Sequence, residues 1–219
     1  MKDSYIQKLE SVIKQMLQPL RDIPFNLVIE SISGYKVIPS DPADTDDLAL
    51  LEDLKKAAKL TGQKLNKKPI IRGRPNEVGN DIEEYVKEAL KKLGYEPGTP
   101  ACQSGKKKST GYPDIFFKDN KGRANYLECK TYNIENVGTA QRSFYFSPSE
   151  YFKITQDAHH FVLSFEVFVD ARRRGKNVYK CRHWKIIDVE RLPVDVKYEF
   201  NSDNARLYET GATLAEGSI

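Results

Sequence analysis

Asp114 follows Pro113, and Glu128-Cys129-Lys130 comes fourteen residues later, so two acids and an amine stand at a spacing that lets them act together. Between them, Ile115-Phe116-Phe117 reads as a buried strand, Asp119-Asn120-Lys121-Gly122 as a turn, and Asn125 to Thr131 as the returning strand. With a short turn centred on Asn120-Lys121, Asp114 falls across from Leu127 or Glu128, depending on one residue of loop length. Strand side chains alternate, so Glu128 and Lys130 project from one face and Cys129 from the other. Two neighbouring carboxylates repel unless a cation or a proton intervenes, and a hard divalent cation fits best. Asp114, Glu128, the backbone carbonyl of Cys129 and waters make the ligand set that Mg²⁺ prefers, with Mn²⁺ able to substitute and positions left open for phosphate oxygens. Lys130 then lies beside metal and phosphate, where it can orient or help deprotonate a water and offset developing charge.

The elements that must hold these residues can be read outward from the hairpin. Glu77 to Leu93 is the clearest helix: Val78, Ile82, Tyr85, Val86, Ala89, Leu90 and Leu93 form one stripe, Gly94 supplies the stop, and Glu83 sits at the stripe's border. Upstream, apolar residues from Tyr5 to Leu20 predict a first helix, and Asp44 or Thr45 starts another that ends at Thr61-Gly62. Residues 25 to 38 read as a short hairpin, and Gly62 to Pro75 as a basic connection. Downstream, a third strand is expected through Phe144-Tyr145-Phe146, a serine-capped helix from Ser147 through Tyr151, Ile154 and Ala158, and long strands over His160–Val169 and Val178–Val189 with a basic loop between them. The order predicts an α/β sandwich around a mixed central sheet flanked by helices.

Pro113-Asp114 with Glu128-Cys129-Lys130 resembles the motif of the PD-(D/E)XK nuclease superfamily, which includes type II restriction endonucleases, Holliday-junction resolvases and repair nucleases. Gly79-Asn80-Asp81-Ile82-Glu83 matches the helix pattern of many members, a glycine, two residues, an apolar residue and glutamate. The resemblance covers roughly residues 76 to 169. It implies metal binding by Asp114 and Glu128, a supporting catalytic role for Glu83, a catalytic role for Lys130 and the restriction-endonuclease-like fold. The expected organisation is an N-terminal helical region, residues 1–75, for dimerisation or DNA clamping, and a nuclease core with a C-terminal hairpin, residues 76–219.

Charge and composition agree with a nucleic-acid partner. The net charge is only +4, but it is unevenly spread, with Lys106-Lys107-Lys108 just before the hairpin and Arg172-Arg173-Arg174 between the last two strands. Both clusters are candidate DNA contacts. The segment from Asn133 through Asn136 to Gln141, Arg142 and Ser143 carries side chains suited to base edges, and equally those of an ordinary polar loop. Three cysteines without a C-x-x-C pair argue against a disulfide framework or zinc ribbon, and adjacent His159 and His160 point in different directions. Hydrophobic residues make up 39% and charged residues 30%, as in ordinary globular proteins, and no apolar run suggests a membrane span or signal peptide, so a cytoplasmic protein is expected. The favoured reading is a type II restriction endonuclease that binds double-stranded DNA as a homodimer at a two-fold symmetric site. A structure-specific nuclease and a non-catalytic DNA-binding module are the alternatives.

Overall fold

The computed structural model describes residues 2–18, 20–74, 76–107, 111–136, 138, 144, 146 and 152–197. The chain divides into two compact units, Met1–Ile23 with Pro193–Ile219, and Pro24–Leu192. The first carries α1 (Lys2–Met16), a helix as its spacing predicts, with Ile6, Leu9, Val12 and Ile13 exposed. Two short strands, β1 (Ile23–Pro24) and β7 (Pro193–Val194), pair with each other.

The second unit holds α2 (Phe25–Ser33), α3 (Thr45–Lys67), β2 (Ile70–Arg72), α4 (Asn76–Lys92), β3 (Ile115–Lys118), β4 (Ala124–Tyr132), a 3-10 turn (Ile134–Asn136), β5 (His159–Arg173) and β6 (Lys176–Asp188). Five strands form one sheet in the order β2-β6-β5-β4-β3. Only β4 and β5 run parallel, so the sheet is mixed, as expected for a restriction-endonuclease-like α/β fold. On one face Leu127, Cys129, Leu163, Phe165 and Cys181 alternate along their strands and bury against Leu54, Ala58, Val78, Ile82 and Leu90 of α3 and α4. On the other, His160 packs with Tyr126, with Phe25 of α2 and with Tyr112. At about 25 cal/mol per Å² of apolar surface, each such aliphatic side chain contributes roughly 2 kcal/mol to holding the layers together.

Several predicted elements are different. Residues 25–33 form a helix rather than a hairpin arm, because Phe25 and Ile29, four apart, are the buried pair. Gly34 ends it at φ 78, its N–H donating to the Glu30 carbonyl. α3, capped by Asp44, runs through Thr61 and Gly62 to Lys67, since both residues are buried against other elements. A Cβ at Gly62 would stand only 3.4 Å from the Cys181 sulfur, so the glycine serves packing rather than termination. The basic connection contains β2, which extends the sheet beside β6. Phe144 and Phe146 are not in a strand; their rings pack around Phe25 and Tyr112. Ile154 and Ala158 are not helical, and Ala158 instead bridges to Val37, while Tyr145 and Ser147–Tyr151 lie outside the described residues. The expected loop over 170–177 shrinks to a turn at Arg174-Gly175, both at positive φ, because the strands pair up to Arg173 and Lys176.

Candidate active site

The β3–β4 register pairs Ile115 with Leu127, and its continuation by one residue sets Asp114 across from Glu128. β3 has already stopped there. The Asp114 side chain occupies the vacated rung, its Oδ2 accepting the Cys129 N–H at 2.8 Å. Glu128 and Lys130 share the opposite face from Cys129, and the Lys130 ammonium donates to Glu128 Oε1 at 2.6 Å. α4 packs on β4 at Gly79, where a Cβ would come 3.8 Å from the Thr131 hydroxyl. Four residues on, Glu83 is half-buried and raises the proton affinity of Asp114 through space, so helix and hairpin acids share one electrostatic neighbourhood. Glu83 also has a cation of its own: Lys87 lies 2.5 Å from its Oε1.

Burial, and then the neighbouring charge of Asp114, push the Glu128 carboxyl up to about 7, against the pull of Lys130. Burial likewise raises Asp114, opposed first by the Cys129 hydrogen bond. Glu128 Oε2 is buried and has no hydrogen-bond partner among the described residues. Such an oxygen is costly to leave unmet. The donor set therefore fits a cation supplied from outside. It consists of two carboxylates, and among the described residues no group of three or more His, Cys, Asp or Glu side chains is arranged to hold a metal. A cleft of about 420 Å³ lies elsewhere, beside the first turn of α4, where Arg72, Arg74, Asp81 and Lys176 line it.

Sequence reasoning missed two groups at this site. Lys153, in the segment before β5, is 2% exposed and donates to the carbonyls of Gly111 and Pro113. His160 is the other: its Nδ1 lies 2.7 Å from the Tyr112 hydroxyl, two residues before Asp114. Burial pushes the imidazole down to about 3. A depressed histidine contributes stability that is complete above its ordinary value of 6.5 and is lost as pH falls toward 3. Between pH 7 and 4.5 the protein should therefore lose roughly 2–3 kcal/mol more stability than a His160→Gln variant, read by chemical denaturation at both pH values. Equal losses would show that His160 does not titrate this way.

The candidate DNA contacts are scattered. Lys106 and Lys107 are exposed, Lys107 bridging back to Ala101. Asn133 caps the 3-10 turn by accepting the Glu135 N–H, and Asn136 closes that turn. Lys108, Gln141, Arg142 and Ser143 lie outside the described residues. Arg172, Arg173 and Arg174 stand at the tip of the β5–β6 hairpin, where Arg172 donates to Asn177. Arg172 is ten residues along β5 from Val162, the neighbour of Glu128, which is roughly 30 Å of extended strand. Direct convergence of the tip on the carboxylates is therefore ruled out.

No solved structure matches the chain. The type II restriction enzyme MjaV of Methanocaldococcus jannaschii is 42% identical to it over 231 aligned residues, covering 99% of this chain and 98% of the relative. The family model for the type II restriction enzyme MjaV family matches residues 19–211, which include both the sheet and all four carboxylate and lysine candidates. A chain with this sheet, this acidic hairpin and this likeness along its length belongs to the type II restriction enzyme MjaV family, and is an endodeoxyribonuclease.

Proposed function

We propose that the protein hydrolyses phosphodiester bonds in double-stranded DNA at a specific palindromic site, as a Mg²⁺-dependent homodimer of the PD-(D/E)XK type. A divalent metal is what type II restriction enzymes generally use; Mg²⁺ is the ion favoured by an all-oxygen donor set. The observation that carries the reading is the pairing of buried, mutually repelling Asp114 and Glu128 beside Lys130, with one Glu128 oxygen unmet. Asp114 and Glu128 would hold the ion. The carbonyl of Cys129 supports a third position, because both backbone groups of a strand residue face the same neighbour and its N–H faces Asp114. A bound ion supplies Lewis acidity toward the phosphate.

The chain's own groups do the rest. Lys130 moves from Glu128 to the scissile phosphate, orienting the attacking water and offsetting charge on the phosphoryl oxygens. Glu83, held by Lys87, supports the cluster from α4. Lys106, Lys107, Lys108 and Arg172–Arg174 fix the backbone, and the 133–143 segment reads bases. The exposed apolar face of α1 supports a role in dimerisation or DNA clamping for the N-terminal part of residues 1–75, whereas α3 and β2 of that region share the core and sheet of residues 76–219. Purified protein should cut plasmid DNA into discrete bands with Mg²⁺ and not with EDTA. Cutting unaffected by EDTA, or confined to branched DNA, would sink this reading.

A further inference from the structure

A lysine almost wholly removed from water is costly unless its donors are satisfied and negative charge lies near. Lys153 meets both conditions in a particular way. Its ammonium donates to the carbonyl of Gly111 at 2.6 Å and to that of Pro113 at 2.8 Å. These carbonyls flank Tyr112 and immediately precede Asp114, the residue whose carboxylate must reach the Cys129 N–H. Burial holds the proton affinity of Lys153 below the usual lysine value, and the negative charge that opposes this comes from Asp114, Glu128 and Glu83, all of which act on it through space. A methionine of similar length would fill the same space without the desolvation penalty. The cation is thus doing something that packing does not require: it ties the segment before β5 to the turn that presents Asp114.

We propose that Lys153 is a positioning residue for DNA cleavage, a buried ammonium that clamps the Gly111 and Pro113 carbonyls and so fixes Asp114 at the metal site. The clamp acts from behind. Lys130 is the lysine on the open face, paired with Glu128, whereas Lys153 grips the backbone on which Asp114 is mounted. Arginine can reproduce the charge and at least one of the two hydrogen bonds; methionine can reproduce neither.

The inference rests on the metal-dependent reading above, and the test separates the two. Lys153→Met, Lys153→Gln and Lys153→Arg are made in the full chain. Each is followed by circular dichroism and melting, by calorimetric Mg²⁺ titration without DNA, and by kcat and KM on plasmid DNA. For Lys153→Met we expect a folded protein with Mg²⁺ affinity lower by about tenfold, kcat lower by about 10- to 100-fold and KM nearly unchanged, as for lost partners of metal ligands. Arginine should recover most of the kcat. Lys153→Met with wild-type Mg²⁺ affinity and kcat would overturn the proposal, as would arginine no better than methionine. Failure of both the methionine and glutamine variants to fold would also overturn it, making Lys153 a fold determinant instead. Wild-type protein inert on DNA would sink the nuclease reading, while the Mg²⁺ titrations would still decide the role of Lys153.

Discussion

Asp114→Asn should lower DNA cleavage by roughly a thousandfold or more while the protein keeps its fold and its DNA affinity in the absence of metal. The division of labour between the two oxygens of Asp114 makes this substitution sharp. Oδ2 is committed to the Cys129 N–H, which leaves Oδ1 for a cation. In asparagine the one remaining oxygen takes the Cys129 rung, and the amide NH₂, a donor, faces the place where a ligand is needed. Lys130→Ala should fall as far in kcat but by another route, because it leaves both carboxylates in place and removes the group proposed to orient water and offset phosphate charge. Mg²⁺ titration by calorimetry distinguishes them: binding disappears in Asp114→Asn and survives in Lys130→Ala. If Asp114→Asn cleaves at near wild-type rate, the hairpin is not the catalytic centre.

The second large effect has opposite signs for activity and stability. Glu128→Gln should lose cleavage by roughly a thousandfold and yet melt higher than wild type when metal is absent and the pH is high. Glu128 has its folded value raised from 4.5 to about 7 by burial and by Asp114. A group raised in the folded state contributes stability that is complete below its unfolded value and is lost as pH rises through the folded value. Metal-free wild type should thus weaken between about pH 4.5 and pH 7, by on the order of 3 kcal/mol. The glutamine variant lacks that dependence. At pH 8 its melting temperature should exceed that of wild type in EDTA, the gap should close near pH 4.5, and Mg²⁺ should raise wild type alone. A variant less stable than wild type at pH 8 in EDTA would show that the carboxylate pair is not under the repulsion inferred for it.

The parts of this arrangement that were legible from sequence are those that repeat locally. Alternation and a short turn were enough to bring Asp114 opposite Leu127 or Glu128, and the pairing of Lys118 with Ala124 across the loop selects Glu128. The stripe of α4 gave the border position of Glu83 in the same way. Residues 25–33 misled because Phe25, Val28, Ile29 and Ile32 suit a strand as well as a helix, and only the burial of Phe25 and Ile29, with Phe25 packed on Tyr112 and His160, decides between them. Lys153 was invisible for a different reason. Its partners are backbone carbonyls some forty residues away, and a lysine in a polar stretch carries no sign that the fold will close over it. The tip arginines showed the limit of reading a cleft from charge clusters, since a long strand carries them far from Asp114 and Glu128.

β3 is an edge strand of four residues, and beyond Leu127 its side of β4 is met, among the described residues, only by the Asp114 carboxylate. An unfinished sheet edge is a template on which a second chain can add a strand, and proteins guard such edges with short strands and inward-pointing charge. The same acids that make this edge suited to an ion also make it a poor surface for strand addition. Variants that neutralise them without restoring the rung, such as Asp114→Ala, would carry a hazard unrelated to catalysis: self-association through the opened edge of β4.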